Sequence, residues 1–276
     1  MKEVGIGKTQ SRFGEDRGDL NRILDALKAA NALVSTLQTS SLMTEYKPGG
    51  DPVTLADRAI NQMLWQMLPN KEEGWLSEEV PDDPSRLTRR RVWVVDPVDG
   101  TKEFVAGIPE WCISVGLVED KSAVAGGVCN PVTGEMMVGS VDFGFWQVGT
   151  QRRLVDPQEG RPLVLASRSE VQRGEWDRFR EAPFTVRAVG SVAYKLALVA
   201  AGLADATWTL APKHEWDVAA GVALVLSAGG SVMSLDRRQP SFNRVETRLD
   251  GLLAVSAGAL KKYGKVFEEW ALSDFR

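Results

Sequence analysis

The chain of 276 residues carries 33 Lys and Arg against 37 Asp and Glu, a net charge of −4, and 43% of its residues are apolar. This length and apolar fraction predict one large folded unit or two small ones, and the acidic balance disfavours a nucleic-acid polymer as partner. The soft metal ligands are Cys112, Cys129 and His214 alone, which excludes a four-ligand structural zinc site and a four-cysteine iron–sulfur cluster.

The N-terminus and the cysteines bear on location. Residues 1–20 are polar and mixed in charge, without the apolar stretch of a secretory signal. Two cysteines in a chain of this size favour the cytoplasm. The uncharged stretch Val218–Leu235 touches the length of a membrane span, but Gly229-Gly230 interrupts it. We interpret it as a buried helix followed by a strand from Ser231, and expect no stable membrane insertion.

The N-terminal part predicts two amphipathic helices. Apolar residues at spacings of three, four and seven predict a first helix over Leu20–Leu37, with Asp19 as a candidate N-cap. The turn-rich segment KPGGDPVT separates it from a second helix over Leu55–Leu68, which Pro69 ends because proline cannot continue a helix.

Closely spaced strands follow the helices. Runs of β-branched and aromatic residues between turn sequences predict an antiparallel meander of strands at 91–96, 111–119, 122–130, 135–141 and 145–149. Pro97 is predicted to end the first strand abruptly. The polar segment 150–161 is the predicted boundary between an N-terminal α+β domain, residues 1–155, and a C-terminal α/β domain, residues 156–276.

Strands and helices alternate in the C-terminal part. Strands are predicted at 163–167, 185–189, 206–210, 231–235 and 251–256. Helices are predicted at 170–179, 191–201, 217–226 and from Gly258 onward. This alternation predicts an α/β layer, so that the chain as a whole combines α+β and α/β architecture.

Carboxylates cluster where the strand RVWVV ends, in the segment DPVDGT (96–101). Gly100 allows a ligand to approach the backbone closely, and Asp96 and Asp99 can then converge on one point. Thr101 is expected to start a short helix, whose free amides at Gly100 and Thr101 would bind phosphate. Two carboxylates beside a phosphate cradle are what magnesium-dependent phosphoryl transfer requires.

Three further acids occupy similar places. Glu78 follows the short segment 74–77, Asp57 lies near the start of the second helix, and Asp217 precedes a long apolar helix. Each also has an ordinary structural interpretation: a solvated loop for Glu78, a favourable helix-dipole position for Asp57, and an N-cap for Asp217. Their joint occurrence in this order favours a common site.

The motifs together resemble those of one family, the inositol monophosphatase superfamily. The resemblance is carried by DPVTLAD (51–57), SEE (77–79), WVVDPVDGTKEF (93–104), GSVAYKLALVAAGLADA (190–206) and HEWDVAAG (214–221). It extends over nearly the whole chain, although Ser77 stands where the family usually has Gly. It implies the αβαβα layered sandwich of the inositol monophosphatase and fructose-1,6-bisphosphatase type.

The resemblance also implies roles for individual residues. The magnesium ligands would be the carboxylates of Glu78, Asp96, Asp99 and Asp217 with the carbonyl of Val98, holding two or three Mg²⁺ ions. Asp57 and Thr101 would orient and deprotonate the attacking water. The substrate would contact Glu78, Val98, Asp99, Gly100, Thr101, Gly190, Ser191, Lys195, Lys213 and Asp217.

Two features resemble the 3'(2'),5'-bisphosphate nucleotidases of the CysQ type, namely TKEF after DPVDG and the lysine in GSVAYK. The inositol enzymes carry an acid a few residues before HEWD, where this chain has LAPK (210–213). Lys213 and Lys195 are therefore candidate partners of a second phosphate, with a solvated surface position as the alternative for each. His214 is interpreted as a pocket-rim or structural residue.

Three functions are compatible with these patterns. The first is a magnesium-dependent phosphomonoesterase that removes the 3'-phosphate of adenosine 3',5'-bisphosphate. The second is an inositol-1-phosphate or sugar-phosphate phosphatase, and the third is a non-catalytic magnesium- or nucleotide-binding protein. The resemblance further implies a small phosphorylated substrate, sensitivity to lithium and, in many family members, a homodimer. Trp111 or Trp208 could stack on a base, although a tryptophan in a strand more often belongs to the core.

Overall fold

The computed structural model describes residues 18–37, 44–46, 52–149 and 160–272. Its N-terminal elements are α1 (Gly18–Leu37), β1 (Thr44–Tyr46), β2 (Pro52–Thr54), α2 (Leu55–Met67), β3 (Gly74–Ser77), a 3-10 helix (Pro84–Thr88), β4 (Arg91–Asp99), α3 (Thr101–Val105), β5 (Cys112–Glu119), β6 (Ser122–Asn130), β7 (Glu135–Ser140) and β8 (Gly144–Val148). The predicted domain boundary stays a prediction, because residues 150–159 lie outside the described ranges.

The second half of the chain begins after this gap. Its elements are β9 (Leu163–Ser167), α4 (Arg168–Gln172), a second 3-10 helix (Asp177–Phe179), β10 (Thr185–Val189), α5 (Val192–Ala200), β11 (Ala206–Trp208), β12 (Lys213–His214), α6 (Glu215–Ser227), β13 (Ser231–Ser234), β14 (Arg248–Leu249), β15 (Leu252–Val255) and α7 (Ala257–Ala271).

The larger sheet has the strand order β3-β4-β5-β6-β7-β8. Strands β4 to β8 form the antiparallel meander that the sequence predicts, and β3 pairs parallel to β4 at its edge. Side chains of β4 alternate between its two faces: Trp93 and Val95 pack under α1 and α2, whereas Val92 and Val94 pack toward α5 and α6. Both faces of this sheet are therefore buried.

The smaller sheet has the order β10-β9-β11-β15-β13. Strand β9 runs parallel to β10 and β11, while β15 runs antiparallel to β11 and β13. One face packs on α5 and α6, and the other packs on α7 through the aromatic side chains of Trp208 and Phe267. The layers are thus helix, sheet, helix, sheet, helix, which confirms the predicted αβαβα sandwich.

Helix α6 lies at the centre of the molecule because small residues let it approach its neighbours. A Cβ atom on Gly126 of β6 would lie 2.5 Å from the carbonyl oxygen of Ala220, and one on Gly221 would lie 2.4 Å from Leu196 Cβ on α5. Most of α6 is buried, yet among the described residues no helix is long and apolar enough to cross a membrane. Close packing on both sides fixes the position of α6, whose first turn carries Asp217.

Three local predictions were wrong. Helix α1 begins at Gly18, so that Asp19 lies in its first turn, where it pairs with Arg91 at 2.6 Å instead of capping. Strand β4 continues past Pro97 to Asp99, because a shift in its pairing with β5 accommodates a residue without an N–H group. The predicted helix 170–179 is split after α4, where Gly174 adopts a φ of +75° that an α-helix cannot continue.

Candidate active site

One cavity lies where β3, β4, α3 and α6 meet. Its volume is about 260 Å³, and its walls are formed by Glu78, Asp96, Val98, Asp99, Gly100, Thr101, Lys102, Glu103, Val192, Lys213 and Asp217. The structure therefore brings together at one cavity all four predicted metal carboxylates, the predicted carbonyl donor, both residues of the predicted phosphate cradle and one of the two candidate lysines. Lys102, Glu103 and Val192 were not among the predicted site residues. Glu103 belongs to the first turn of α3, just after the DPVDGT segment, and its sequence position next to that segment could have signalled it.

The end of β4 is irregular, and this irregularity turns two aspartates toward the cavity. The register with β5 shifts between Asp96 and Asp99. Within the bulge, the Val98 amide donates to Asp96 Oδ1 at 3.0 Å, and the Thr101 hydroxyl donates to the Val98 carbonyl at 3.0 Å. A regular strand would direct residues 96 and 99 to opposite faces, so the bulge is what lets both reach one cavity.

Asp99 is held by the turn that precedes α5. Its Oδ2 accepts hydrogen bonds of 2.6 Å from the Ser191 hydroxyl and from the Ala193 amide. Ser191 adopts a φ of +57°, unusual for a residue with a side chain, and Lys195 Nζ donates to its carbonyl at 2.8 Å. Lys195 is 2% exposed and lies behind the cavity wall, where it secures this turn. Gly190 precedes the turn, and its amide donates to Glu110 Oε2 at 2.8 Å.

Asp217 lies in the first turn of α6, not before it. The helix begins at Glu215, and Asp217 Oδ2 accepts from the His214 amide at 2.9 Å in a capping arrangement. The His214 ring stacks on Trp216 with centroids 4.3 Å apart, and its Nδ1 lies 3.1 Å from Thr247 Oγ1. These contacts give His214 a structural role at the start of the helix.

Asp57 is 1% exposed, and it accepts hydrogen bonds from Thr54, the residue that precedes α2. Its Oδ2 accepts from the Thr54 amide at 2.8 Å and from the Thr54 hydroxyl at 2.5 Å. Thr101 donates to Val98 instead, so in the described part of the chain the hydroxyl of Thr101 is not bonded to Asp57. The predicted water-orienting role of this pair stays a prediction.

Burial and mutual repulsion disfavour ionisation of these acids. Removal from water raises the pKa of Asp96 well above its usual value, and the nearby charges of Glu78, Asp99 and Asp217 raise it further. Burial also raises the pKa of Asp57 to about 6. The pKa of Asp217 is raised by burial first and by Asp99 next. A cation is the group that would relieve this repulsion.

The donor set fits a hard cation. In the part of the chain that the structure describes, no three His, Cys, Asp or Glu side chains already form a metal-holding group. However, the hydrogen bonds of the described residues engage only one carboxylate oxygen in each of Asp96, Asp99 and Asp217. All of these donors are oxygens, which Mg²⁺ prefers, and they line one cavity.

The two tryptophans considered for base stacking are both 2% exposed. Trp111 packs edge-on against Phe104 with centroids 4.8 Å apart. Trp208 lies in an aromatic cluster, 5.0 Å from the Trp176 ring. Both serve the core, as tryptophans in strands commonly do.

The sequence and the fold each match proteins of known kind. The profile of the inositol monophosphatase family matches residues 21–270. An inositol-1-monophosphatase from Mesorhizobium japonicum is 31% identical over 230 residues, which cover 78% of this chain and 84% of that protein. A 3'(2'),5'-bisphosphate nucleotidase CysQ from Aggregatibacter actinomycetemcomitans is 25% identical over 83% of this chain and 88% of its own length.

The fold is similar to that of solved structures. The crystal structure of CysQ from Bacteroides thetaiotaomicron, described as a bacterial member of the inositol monophosphatase family, superposes with a TM-score of 0.74. The match covers 88% of this chain and 98% of that one at 24% sequence identity, so it supports the fold and leaves the substrate open.

Proposed function

The chain belongs to the inositol monophosphatase family, and from this premise we propose that it removes the 3'-phosphate of adenosine 3',5'-bisphosphate in a magnesium-dependent reaction. The family consists of metal-dependent phosphatases that act on small phosphorylated substrates and typically use Mg²⁺. The choice of a bisphosphate within that family is the proposal.

The position of Lys213 is the observation that supports a bisphosphate as the substrate. It lines the cavity beside Asp99 and Asp217, and its side chain is 18% exposed. The preceding residues 210–212 are Leu, Ala and Pro, which cannot accept hydrogen bonds from sugar hydroxyls through their side chains. A cation at this position suits a substrate with a second anionic group better than a neutral polyol.

Each part of the site would then have one task. Glu78, Asp96, Asp99 and Asp217 would hold the metal with the Val98 carbonyl. Bound Mg²⁺ would neutralise charge on the phosphoryl oxygens and lower the pKa of a water molecule. The Gly100 and Thr101 amides would orient the scissile phosphate, since Gly100 has a φ of +97° and both residues line the cavity.

Proton removal from the attacking water is assigned to Asp57 and Thr101. Asp57 has a pKa raised to about 6 by burial, and a base with a pKa near the working pH transfers protons efficiently. Thr101 would relay the proton by accepting a hydrogen bond from the water and donating its own hydrogen to Asp57, in exchange for its present bond to the Val98 carbonyl. Ser191 keeps Asp99 in place during this step.

The second candidate is an inositol-1-phosphate phosphatase. It is favoured by the 31% identity to the inositol-1-monophosphatase from Mesorhizobium japonicum, which exceeds the identity to the CysQ relative. Cytoplasmic location, inhibition by lithium, the number of metal ions and homodimeric assembly remain predictions of the sequence under either candidate.

A parallel rate measurement decides between the candidates. Phosphate release is measured from adenosine 3',5'-bisphosphate and from inositol 1-phosphate at equal concentrations, with Mg²⁺ and with excess chelator. We expect release only with Mg²⁺ and faster turnover of the bisphosphate. Faster turnover of inositol 1-phosphate would support the second candidate, and no release from either would leave a non-catalytic binding protein.

A further inference from the structure

A second group of charged side chains borders the cavity on the side of the smaller sheet. It consists of Glu103, Arg168, Glu170, Lys195 and Lys213, which we call the charged rim. Glu103 and Lys213 line the cavity, and Arg168 approaches Glu103 at 3.9 Å. The rim contains both acids and cations, unlike the uniformly acidic group of metal carboxylates.

Within the charged rim, Glu170 is buried although only one of its two carboxylate oxygens accepts a hydrogen bond. Its side chain is 1% exposed, and Oε2 accepts from Trp176 Nε1 at 3.0 Å. Its other oxygen, Oε1, is buried and accepts no hydrogen bond from any residue that the structure describes. A buried carboxylate oxygen without a donor is costly, so the position of Glu170 calls for a further interaction.

Lys213 is the cation that forms an ion pair with this oxygen. Lys213 Nζ lies 3.7 Å from Glu170 Oε1, which is ion-pair distance but longer than a hydrogen bond. An ammonium has three N–H donors, and in the described chain Glu170 is its only charged partner within 4 Å. The donors not directed at Glu170 are thus available to a ligand in the cavity.

We propose that Glu170 is the positioning residue that holds Lys213 toward the leaving group, and thereby sets the preference for substrates with a second anionic group. This inference rests on the proposed bisphosphate activity. Lys213 also interacts electrostatically with Asp217, so an untethered ammonium would be drawn to the metal carboxylates. The ion pair with Glu170 opposes that attraction and leaves the remaining donors of Lys213 for the part of the substrate that is not being hydrolysed.

The test uses two substrates that share the scissile phosphate. Adenosine 3',5'-bisphosphate and adenosine 3'-monophosphate differ only in the 5'-phosphate, so the ratio of their kcat/KM values isolates its recognition. Lys213→Gln is expected to lower this ratio about tenfold, the usual loss with one charge-assisted contact. Glu170→Gln is expected to lower it about threefold to tenfold through KM of the bisphosphate, with kcat unchanged.

The double variant distinguishes positioning from a direct effect. If Glu170 acts through Lys213, then Glu170→Gln adds no further loss in a Lys213→Gln background. Glutamine at 170 keeps the volume and an oxygen for Trp176, so a merely structural role would change both substrates equally or neither. Glu181→Gln, an exposed acid in the same part of the chain, is the matched control and should leave the ratio unchanged.

The outcomes separate the two proposals. A wild-type preference for the bisphosphate that survives Glu170→Gln would overturn the role of Glu170 alone. A wild-type enzyme without that preference would overturn the proposed substrate and this inference with it. If Glu170→Gln melts too early to assay, Glu170→Asp keeps the charge but withdraws it by one methylene, and the ratio should then fall between wild type and Lys213→Gln.

Discussion

Two buried acidic regions of this protein differ in how their charge is balanced. Glu73 accepts from Arg22 at 2.6 Å, from Arg91 at 3.1 Å and from Trp93 Nε1 at 2.9 Å. Although burial opposes it, these bonds lower the pKa of Glu73 to about 2. Around Asp96 the balance is different, because burial and the nearby charges of Glu78, Asp99 and Asp217 raise its pKa instead. An acid held by guanidinium groups serves the fold, whereas buried acids that raise one another's pKa mark the place of a ligand.

The largest expected effect comes from removing one of the metal carboxylates. Asp99→Asn should lower kcat by at least about a thousandfold, because a metal-stabilised transition state loses several kcal/mol. The amide oxygen can still accept from Ser191 and Ala193, so the melting temperature in chelator should stay the same or rise. Asp142→Asn, at an exposed position, serves as the control. Near wild-type turnover of Asp99→Asn would refute its assignment.

The opposite result is expected for the paired acid. Glu73→Gln should lower the free energy of unfolding by about 3 kcal/mol, since breaking a buried ion pair leaves its partners uncompensated. Urea unfolding followed by tryptophan fluorescence measures this loss. Turnover per folded molecule should not change, and a large fall in kcat would show that the two regions are not independent.

The two regions should also respond to pH in opposite directions. Glu73, with its lowered pKa, contributes stability that is present above pH 4.5 and is lost as the pH falls toward 2. Asp96, Asp99 and Asp217 have raised pKa values, so the metal-free protein loses their contribution as the pH rises above about 4 through those values.

Magnesium should reverse only the loss of stability at high pH, which comes from Asp96, Asp99 and Asp217. The rise in melting temperature on adding Mg²⁺ should therefore be small at pH 5 and larger at pH 8. Calorimetry over this range measures it, with Asp99→Asn as the control that should gain less. A magnesium effect that is equal at both pH values would contradict the assignment of these acids as ligands.

The smallest expected effect concerns the support of Asp99. Ser191→Ala removes one hydrogen bond to its Oδ2 and should cost about 1 kcal/mol, seen as a several-fold lower affinity for Mg²⁺. The Ala193 amide keeps its own bond to the same oxygen, which limits the loss. Titration of activity against Mg²⁺ measures the change, and an unaltered midpoint would show that the hydroxyl does not support the carboxylate.

Much of the site could be predicted from the sequence because its motifs are short and contiguous. DPVDGT places two carboxylates and a glycine within six residues, and HEWD places the third carboxylate at the start of an apolar helix. The spacing of apolar residues likewise predicts the meander and α6, because it indicates whether one or both faces of an element are buried. The prediction that these motifs meet at one site rested on the family resemblance, not on their spacing alone.

Other features were decided only by the tertiary structure. The bulge that continues β4 through Pro97 depends on its pairing with β5, and the position of Lys195 behind the wall depends on the turn at Ser191. The contact between Glu170 and Lys213 joins residues 43 positions apart in the chain (213 − 170). Local sequence determines propensity and the chemistry available, but the distance between remote side chains is set by how the layers pack, and no local pattern encodes it.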